Sequence, residues 1–427
     1  MNLVTLAFLF VFLLLCLKWI EVGVCSQFLS FFMLSGIATF WGLHSGVTLG
    51  ICVITILSLI VYIFINKVKI KITVVEMLMV VTWLLLLVSL IYTTSPQYGF
   101  RKVQLFLAVP VMLVLVGRLC TQRTDMLSRT LYSLSWSALL LTLFMIIVFI
   151  VYRDAFTVAD RFGARESGFN ALGIGYVLAV SVVMLVYLII KKPWSAAIVT
   201  PLIIGAVVVI LATGSRGPFL GLVIGATLSL MTRKSIKPVL ILCLVATILA
   251  GSLYTLTPET TRERILTLFE KGALEESGRS NLYIAGTKQF LDSPMLGGGV
   301  GSFSMYKGGE DERAYPHNII LEFAGENGII GLALICTILI LSICQILKLR
   351  KISPHSPLYW ESKIIQWIFY IGIINAMLSF DMTDQRTLFF AIGMLAGTTR
   401  WAVLRGESDI SSIEVDCRNP GVLQESY

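Results

Sequence analysis

The chain has 427 residues, 57% of them hydrophobic and only 14% charged, with a mean hydropathy of +0.87 and a formal net charge of +8. Soluble domains hold about 45–50% apolar and about 25% charged residues, so a soluble multidomain protein is excluded and an all-α polytopic membrane protein is expected. The basic excess is no nucleic-acid footprint, because Lys and Arg are scattered through connectors between apolar runs instead of gathering on one polar face.

A crossing helix needs about 20 mostly apolar residues. In chain order such runs predict helices over 46–65, 74–93, 103–118, 131–152, 171–190, 195–212, 216–231, 237–256, 319–343, 364–381 and 387–404. Residues 1–44 hold two more apolar runs, 3–20 and 28–43, read either as two crossings or as one crossing and an interfacial helix. The expectation is one helical membrane unit over 1–404 with about 12 crossings. A larger extracytoplasmic loop at 257–318 interrupts it, and a disordered cytoplasmic tail over 405–427 follows. The start lacks the basic n-region and cleavage site of a removable signal peptide. Cys16, Cys52, Cys243, Cys336 and Cys344 lie in or at the ends of apolar runs, and no disulfide or metal spacing emerges.

Orientation follows from Lys and Arg, which accumulate in cytoplasmic connectors. The connectors with Lys67, Lys69 and Lys71; Arg118, Arg123 and Arg129; Lys191 and Lys192; Arg233, Lys234 and Lys237; and Lys348, Arg350, Lys351 and Lys363 alternate with poorer ones. The poorer connectors carry Arg101 and Lys102; Arg153, Arg161 and Arg165; Arg216; and Arg386. The rich side is cytoplasmic, so the long loop and the turn before Arg216 face outward.

Arg216 stands between two apolar runs, in the stretch 212–219, Ala-Thr-Gly-Ser-Arg-Gly-Pro-Phe. A charge there either serves function or snorkels to lipid phosphate. With Pro218 just inside the next helix and Ser215 as a cap, free backbone amides beside the guanidinium would make an anion site. In the long loop, Arg262, Arg264 and Lys271 read as solvated charges, whereas Arg279 opens a helix-like stretch over 282–291 and points either into a cleft or into water. Glycines 297, 298, 299 and 301 form a tight turn in which backbone can approach a ligand; with no preceding strand, they are not a dinucleotide fingerprint. His317, one of three histidines, follows in 315–322, Tyr-Pro-His-Asn-Ile-Ile-Leu-Glu. It reads either as a base near neutral pH or as a structural cap of the helix that begins there. His44 and His355 have no comparable companions. Outer connectors add Arg161, Arg165, Glu166 and Asn170, and Tyr98, Arg101 and Lys102. Several cations and one histidine on one membrane face, with no metal set, suit a diphosphate.

At these residues the chain resembles the O-antigen ligase and O-antigen polymerase superfamily of bacterial polysaccharide enzymes. The resemblance rests on 213–217, Thr-Gly-Ser-Arg-Gly; on Gly278 and Arg279 with the stretch 290–303; and on 317–322 with 326–331, Glu-Asn-Gly-Ile-Ile-Gly; 165–170 is a weaker match. It implies transfer of a glycan from undecaprenyl diphosphate to an acceptor hydroxyl at the periplasmic face, inverting, without metal or other cofactor. Carried onto this chain, it implies that Arg216 and Arg279 hold the diphosphate and His317 takes the acceptor proton. Arg165, Asn170, Asn318, Glu322 and Arg101 complete the expected substrate contacts. The implied partners are the lipid-linked donor, a lipid-core or glycan acceptor, membrane lipids and polysaccharide assembly proteins, and no nucleic acid. A ligase transferring to lipid core leads; a polymerase joining repeat units is the alternative. A flippase for the same lipid-linked sugar would place ionisable groups near the bilayer midplane and repeat its halves, and neither is visible.

Overall fold

In a medium without water every backbone N–H and C=O must be bonded within its own segment, and the helix is the local solution. The computed structural model describes residues 3–18, 47–65, 72–121, 124–151, 171–212, 216–230 and 279–404, and every regular element among them is a helix. They are α1 (Leu3–Lys18), α2 (Val47–Ile65), α3 (Val74–Ser89), α4 (Pro96–Phe106), α5 (Met112–Leu119), α6 (Thr124–Val151), α7 (Ala171–Lys191), α8 (Ala196–Ala212) and α9 (Arg216–Leu230). After the long loop come α10 (Arg279–Asp292), the single turn α11 (Phe303–Tyr306), α12 (Ile319–Leu349), α13 (Tyr359–Leu378) and α14 (Arg386–Leu404). The helix expected over 237–256, most of the loop's first half and the tail after 404 lie outside the described residues.

Two helices depart from regular geometry, each for a visible reason. Pro110 removes a backbone donor, and a π turn over Leu107–Val111 carries α4 into α5. In α12 Gly328 takes φ 60° and ψ −155°, which breaks the helix in two. The amide freed there, on Ile329, donates instead to the Pro294 carbonyl at 2.8 Å.

Several expected boundaries move: α6 begins at Thr124 instead of 131 and α13 at Tyr359 instead of 364, and one further shift has a visible cause. α4 begins at Pro96 instead of 103, because proline suits a first turn and a residue far along the chain closes its free amides. Asp311 accepts from the Gln97 amide at 2.8 Å and the Tyr98 amide at 3.0 Å. Lys102 is therefore no connector residue. It lies inside the helix, fully buried.

The core sits around α13 and α14. α14 packs on α5, α12 and α13, and Phe106, Phe323 and Phe389 from α4, α12 and α14 meet edge-to-face with centroids 6.2 and 6.0 Å apart. α9 lies antiparallel along α13 through a stripe of glycines one turn apart: Gly217 faces Asn375 and Leu378, Gly221 faces Ile371 and Gly225 faces Trp367. Small residues let two backbones approach closely where lipid supplies no hydrophobic drive. The Trp367 indole seals the contact by donating to the Leu222 carbonyl at 2.9 Å.

Five described helical stretches are long and apolar enough to cross a membrane: Pro96–Leu119, Asp125–Val151, Gly173–Lys191, Pro193–Leu211 and Ile319–Leu349. Val53–Ile65, Val74–Ser89 and Gly217–Leu230 are shorter and apolar. The expected count of about 12 included α13 and α14, which carry Glu361, Gln366, Asn375 and Thr398, all buried against protein. A helix walled by other helices tolerates such residues where a lipid-facing one does not. Thr93 donates to the Val300 carbonyl, Ser95 contacts Asp311 and Arg313 contacts Asp384, so the connectors 90–95, 293–318 and 379–385 meet at one end of the helices. Glu361 marks another cluster, taking Lys191 at 2.6 Å, Tyr187 at 3.0 Å and Ser128 at 3.0 Å. Residues expected on opposite membrane sides thus fall into separate clusters.

Candidate active site

The start of α12 frees one side chain by using its neighbour. Asn318 is extended, and its carboxamide oxygen accepts from the Ile320 and Leu321 amides at 3.0 and 3.1 Å, the N-cap arrangement. Its Nδ2 donates to the Met377 carbonyl at 3.2 Å. The capping role expected as an alternative for His317 thus belongs to Asn318. Replacing Asn318 by alanine is expected to destabilise the protein by about 1 kcal/mol, read as a lowered midpoint of thermal unfolding in detergent.

His317 itself takes φ 58°, the left-handed region that costs a non-glycine residue about 1–2 kcal/mol. The strain is held from both sides, by the cap at Asn318 and by buried Pro316, which packs against Gly286 of α10. The imidazole lies edge-on to Tyr315 with centroids 4.6 Å apart, and its Nδ1 is buried with no hydrogen-bond partner. Burial, and then the positive fields of Arg279, Arg313 and Lys307, push its pKa down to about 4. At neutral pH the ring is uncharged and faces three cations.

Three distant parts of the sequence converge on the last turn of α13. Gly217, next to Arg216, faces the Asn375 and Leu378 side chains. Tyr283, one turn after Arg279 on α10, brings its hydroxyl to the Met377 carbonyl at 3.5 Å. Asn318, next to His317, reaches the same carbonyl. The neighbours of Arg216, Arg279 and His317 are thereby fixed to four consecutive residues, 375–378. The Arg216 side chain and the whole of Arg165 and Asn170 lie outside the described residues. Arg101 is exposed on α4.

Beneath His317 is a charge network that sequence reasoning did not assemble. The Lys102 ammonium sits 2.6 Å from Glu322 Oε1 and 2.8 and 2.9 Å from the two Glu326 oxygens, with all three side chains at 0–1% exposure. Glu322 Oε2 accepts from the Met382 amide at 2.9 Å. Both Glu322 oxygens are therefore engaged within the protein, and its place is under the site. Asp381 takes the Tyr98 hydroxyl and, at 2.6 Å, the Thr383 amide, while Arg313 reaches from the loop to Asp384 and, at 3.8 Å, to Asp381. The signal was legible in part: Glu322 and Glu326 stand four apart, one face of a helix, in an apolar run.

The glycine turn is corrected by the structure. Gly297, Gly299 and Gly301 do adopt positive φ, but what approaches them is protein. A Cβ on Gly297 would sit 2.4 Å from the Glu326 carbonyl carbon, and one on Gly299 2.5 Å from Thr93 Cα. The Gly298 and Gly299 amides donate to the Gly325 and Glu326 carbonyls at 3.0 and 2.9 Å. The turn therefore satisfies the carbonyls that the break at Gly328 leaves open, and it anchors the segment that carries His317.

No curated protein matches the chain. A family model described as O-Antigen ligase matches residues 201–336. That stretch holds Arg216, Arg279, His317 and the break at Gly328 but not Lys102, Asn375 or Asp381. Over that stretch the chain is similar to O-antigen ligases, a domain match that supports a relationship to the O-antigen ligase and polymerase superfamily.

Proposed function

We propose that the protein transfers a glycan from undecaprenyl diphosphate to a sugar hydroxyl at the outer face of the cytoplasmic membrane, as an O-antigen ligase does. The observation that carries this reading is the convergence of the neighbours of Arg216, Arg279 and His317 on residues 375–378. The acceptor oxygen attacks the anomeric carbon, the bond from that carbon to the phosphate oxygen breaks, and undecaprenyl diphosphate departs with the electron pair. His317 receives the hydroxyl proton, and attack opposite the leaving group inverts the anomeric centre. Diphosphate is already a competent leaving group, so the protein has three tasks: to orient the donor, neutralise its phosphates and remove one proton. The low proton affinity of His317 in the cation field of Arg279, Arg313 and Lys307 fits an order in which the anionic donor binds first. Its charge offsets those cations and raises the basicity of the ring.

Arg216→Lys is expected to reduce turnover by about 10²-fold or more, because an ammonium cannot form the two-point contact of a guanidinium with phosphate. The assay is transfer from a lipid-linked donor by protein in nanodiscs, and near-normal turnover would make Arg216 an interfacial residue. The acceptor is identified by mass analysis of glycans in a deletion strain. Lipid-linked polymer that accumulates without reaching lipid core indicates a ligase; single repeat units on lipid core indicate a polymerase.

A further inference from the structure

α13 carries two buried amides for which the fold has no use, Gln366 and Asn375, and Asn375 is the one that lies by the start of α9. Asn375 is fully buried, and neither its Nδ2 nor its Oδ1 has a hydrogen-bond partner. Such an orphaned amide costs about 1–3 kcal/mol for each unsatisfied group. A leucine of nearly the same shape would avoid that cost in a helix whose nearby buried positions include Ile368, Phe369, Ile371 and Ala376. The residue therefore calls for a ligand.

Its surroundings say which. The Asn375 Oδ1 lies 3.8 Å from the point a Cβ would occupy on Gly217, the second residue of α9. α9 is 15 residues long, and its first amides, which have no partner within the helix, present a positive end at this place. Pro218 carries no amide hydrogen and is buried, so the free donors here are those of Arg216 and Gly217. Two residues past Asn375, the Met377 carbonyl takes Asn318 and Tyr283. The unpaired carboxamide thus lies between the start of α9 and the elements that bear His317 and Arg279.

A phosphate only accepts hydrogen bonds and would leave Oδ1 unpaired. A sugar hydroxyl, or an acetamido group, gives one and takes one. The geometry points to Asn375 as a binding residue for the sugar that adjoins the diphosphate: Nδ2 donates to a hydroxyl or acetamido oxygen, and Oδ1 accepts from the same group. Leu378, three residues on and half-buried, shares this face and lies against Gly217 beside Asn375. The proposal rests on the glycosyl-transfer reading, and it adds a contact that selects the donor's first sugar over bare lipid diphosphate.

The test measures binding to wild-type, Asn375→Leu and Asn375→Ser protein in nanodiscs, each checked for monodispersity. The two probes are undecaprenyl diphosphate and the same lipid carrying one N-acetylated sugar. Asn375→Leu is expected to weaken the sugar-bearing probe by about tenfold, the scale of one unpaired polar group, and to leave the bare lipid unchanged. Asn375→Ser keeps a donor and an acceptor and falls between, which serves where the leucine variant aggregates. Equal loss for both probes, or loss for neither, overturns the proposal while the transfer reading stands. Failure of the wild-type protein to bind either lipid diphosphate overturns both.

Discussion

Replacing His317 by asparagine is expected to lower the rate of glycan transfer about 10²–10⁴-fold, the range for loss of a general base, with donor affinity close to wild type. Asparagine is the sharper substitution than alanine, because position 317 sits at φ 58° and asparagine tolerates that region. The backbone and the cap at Asn318 then survive while the proton acceptor is gone. Turnover and donor binding measured separately on the same nanodisc preparation decide the matter. A variant that binds donor normally and still turns over would remove His317 from the chemistry.

The pH profile gives a second handle on the same residue. With its pKa pushed down to about 4, first by burial and then by Arg279, Arg313 and Lys307, the free enzyme keeps a neutral imidazole at pH 5 and above. The acid limb of kcat/KM should therefore fall as pH drops through about 4, well below the ordinary histidine value near 6.5. Because the folded pKa lies below the unfolded one, the residue's linkage to stability has a definite sign. The folded state resists a proton that the unfolded chain accepts, so stability declines as pH falls from about 6.5 to about 4 and is unaffected above that window. An Arg313→Gln variant removes one of the three cations and should move the limb upward in pH.

Most helices were legible because apolar run length is a strong signal in a membrane chain. The expected 46–65 is observed as Val47–Ile65, 171–190 as Ala171–Lys191, 195–212 as Ala196–Ala212 and 387–404 as Arg386–Leu404. What run length does not carry is anything fixed by contact across the chain. α4 starts at Pro96 because Asp311, more than 200 residues later, caps it. Without that cap in view, Lys102 read as a connector charge. The glycine turn was recognised as a place of close approach, yet whether ligand or protein would approach depended on the break at Gly328, which a lone glycine in a helical run does not announce. His317 was read as either a base or the cap of α12, and only the hydrogen bonds of Asn318 show that the cap is the next residue. Asn375 escaped notice for a simpler reason: an amide in a largely apolar helix says nothing until its neighbours are known to leave it unpaired.

The second large effect is expected beneath the site, at Lys102. Its ammonium is the only cation bonded to Glu322 and Glu326 among the described residues, and all three side chains are shut away from water. Replacing Lys102 by methionine fills the same space and removes the charge, leaving two carboxylates four residues apart without a counter-ion. Breaking a buried pair from one side costs about 3–5 kcal/mol, enough to threaten the marginal stability of most domains. Yield and thermal midpoint in detergent should both drop sharply. The same logic predicts rescue: Lys102→Met combined with Glu322→Gln and Glu326→Gln removes every charge at once, and neutral replacements of a buried ionic cluster are often tolerated. The Glu322 position should still accept from the Met382 amide through the glutamine oxygen. Rescued stability with weak activity would mean that the network sets the geometry of the α12 start and His317. If Lys102→Met alone kept wild-type stability, the carboxylates would have to be held by some other cation or by protons, and the network would lose its role as the support of the site.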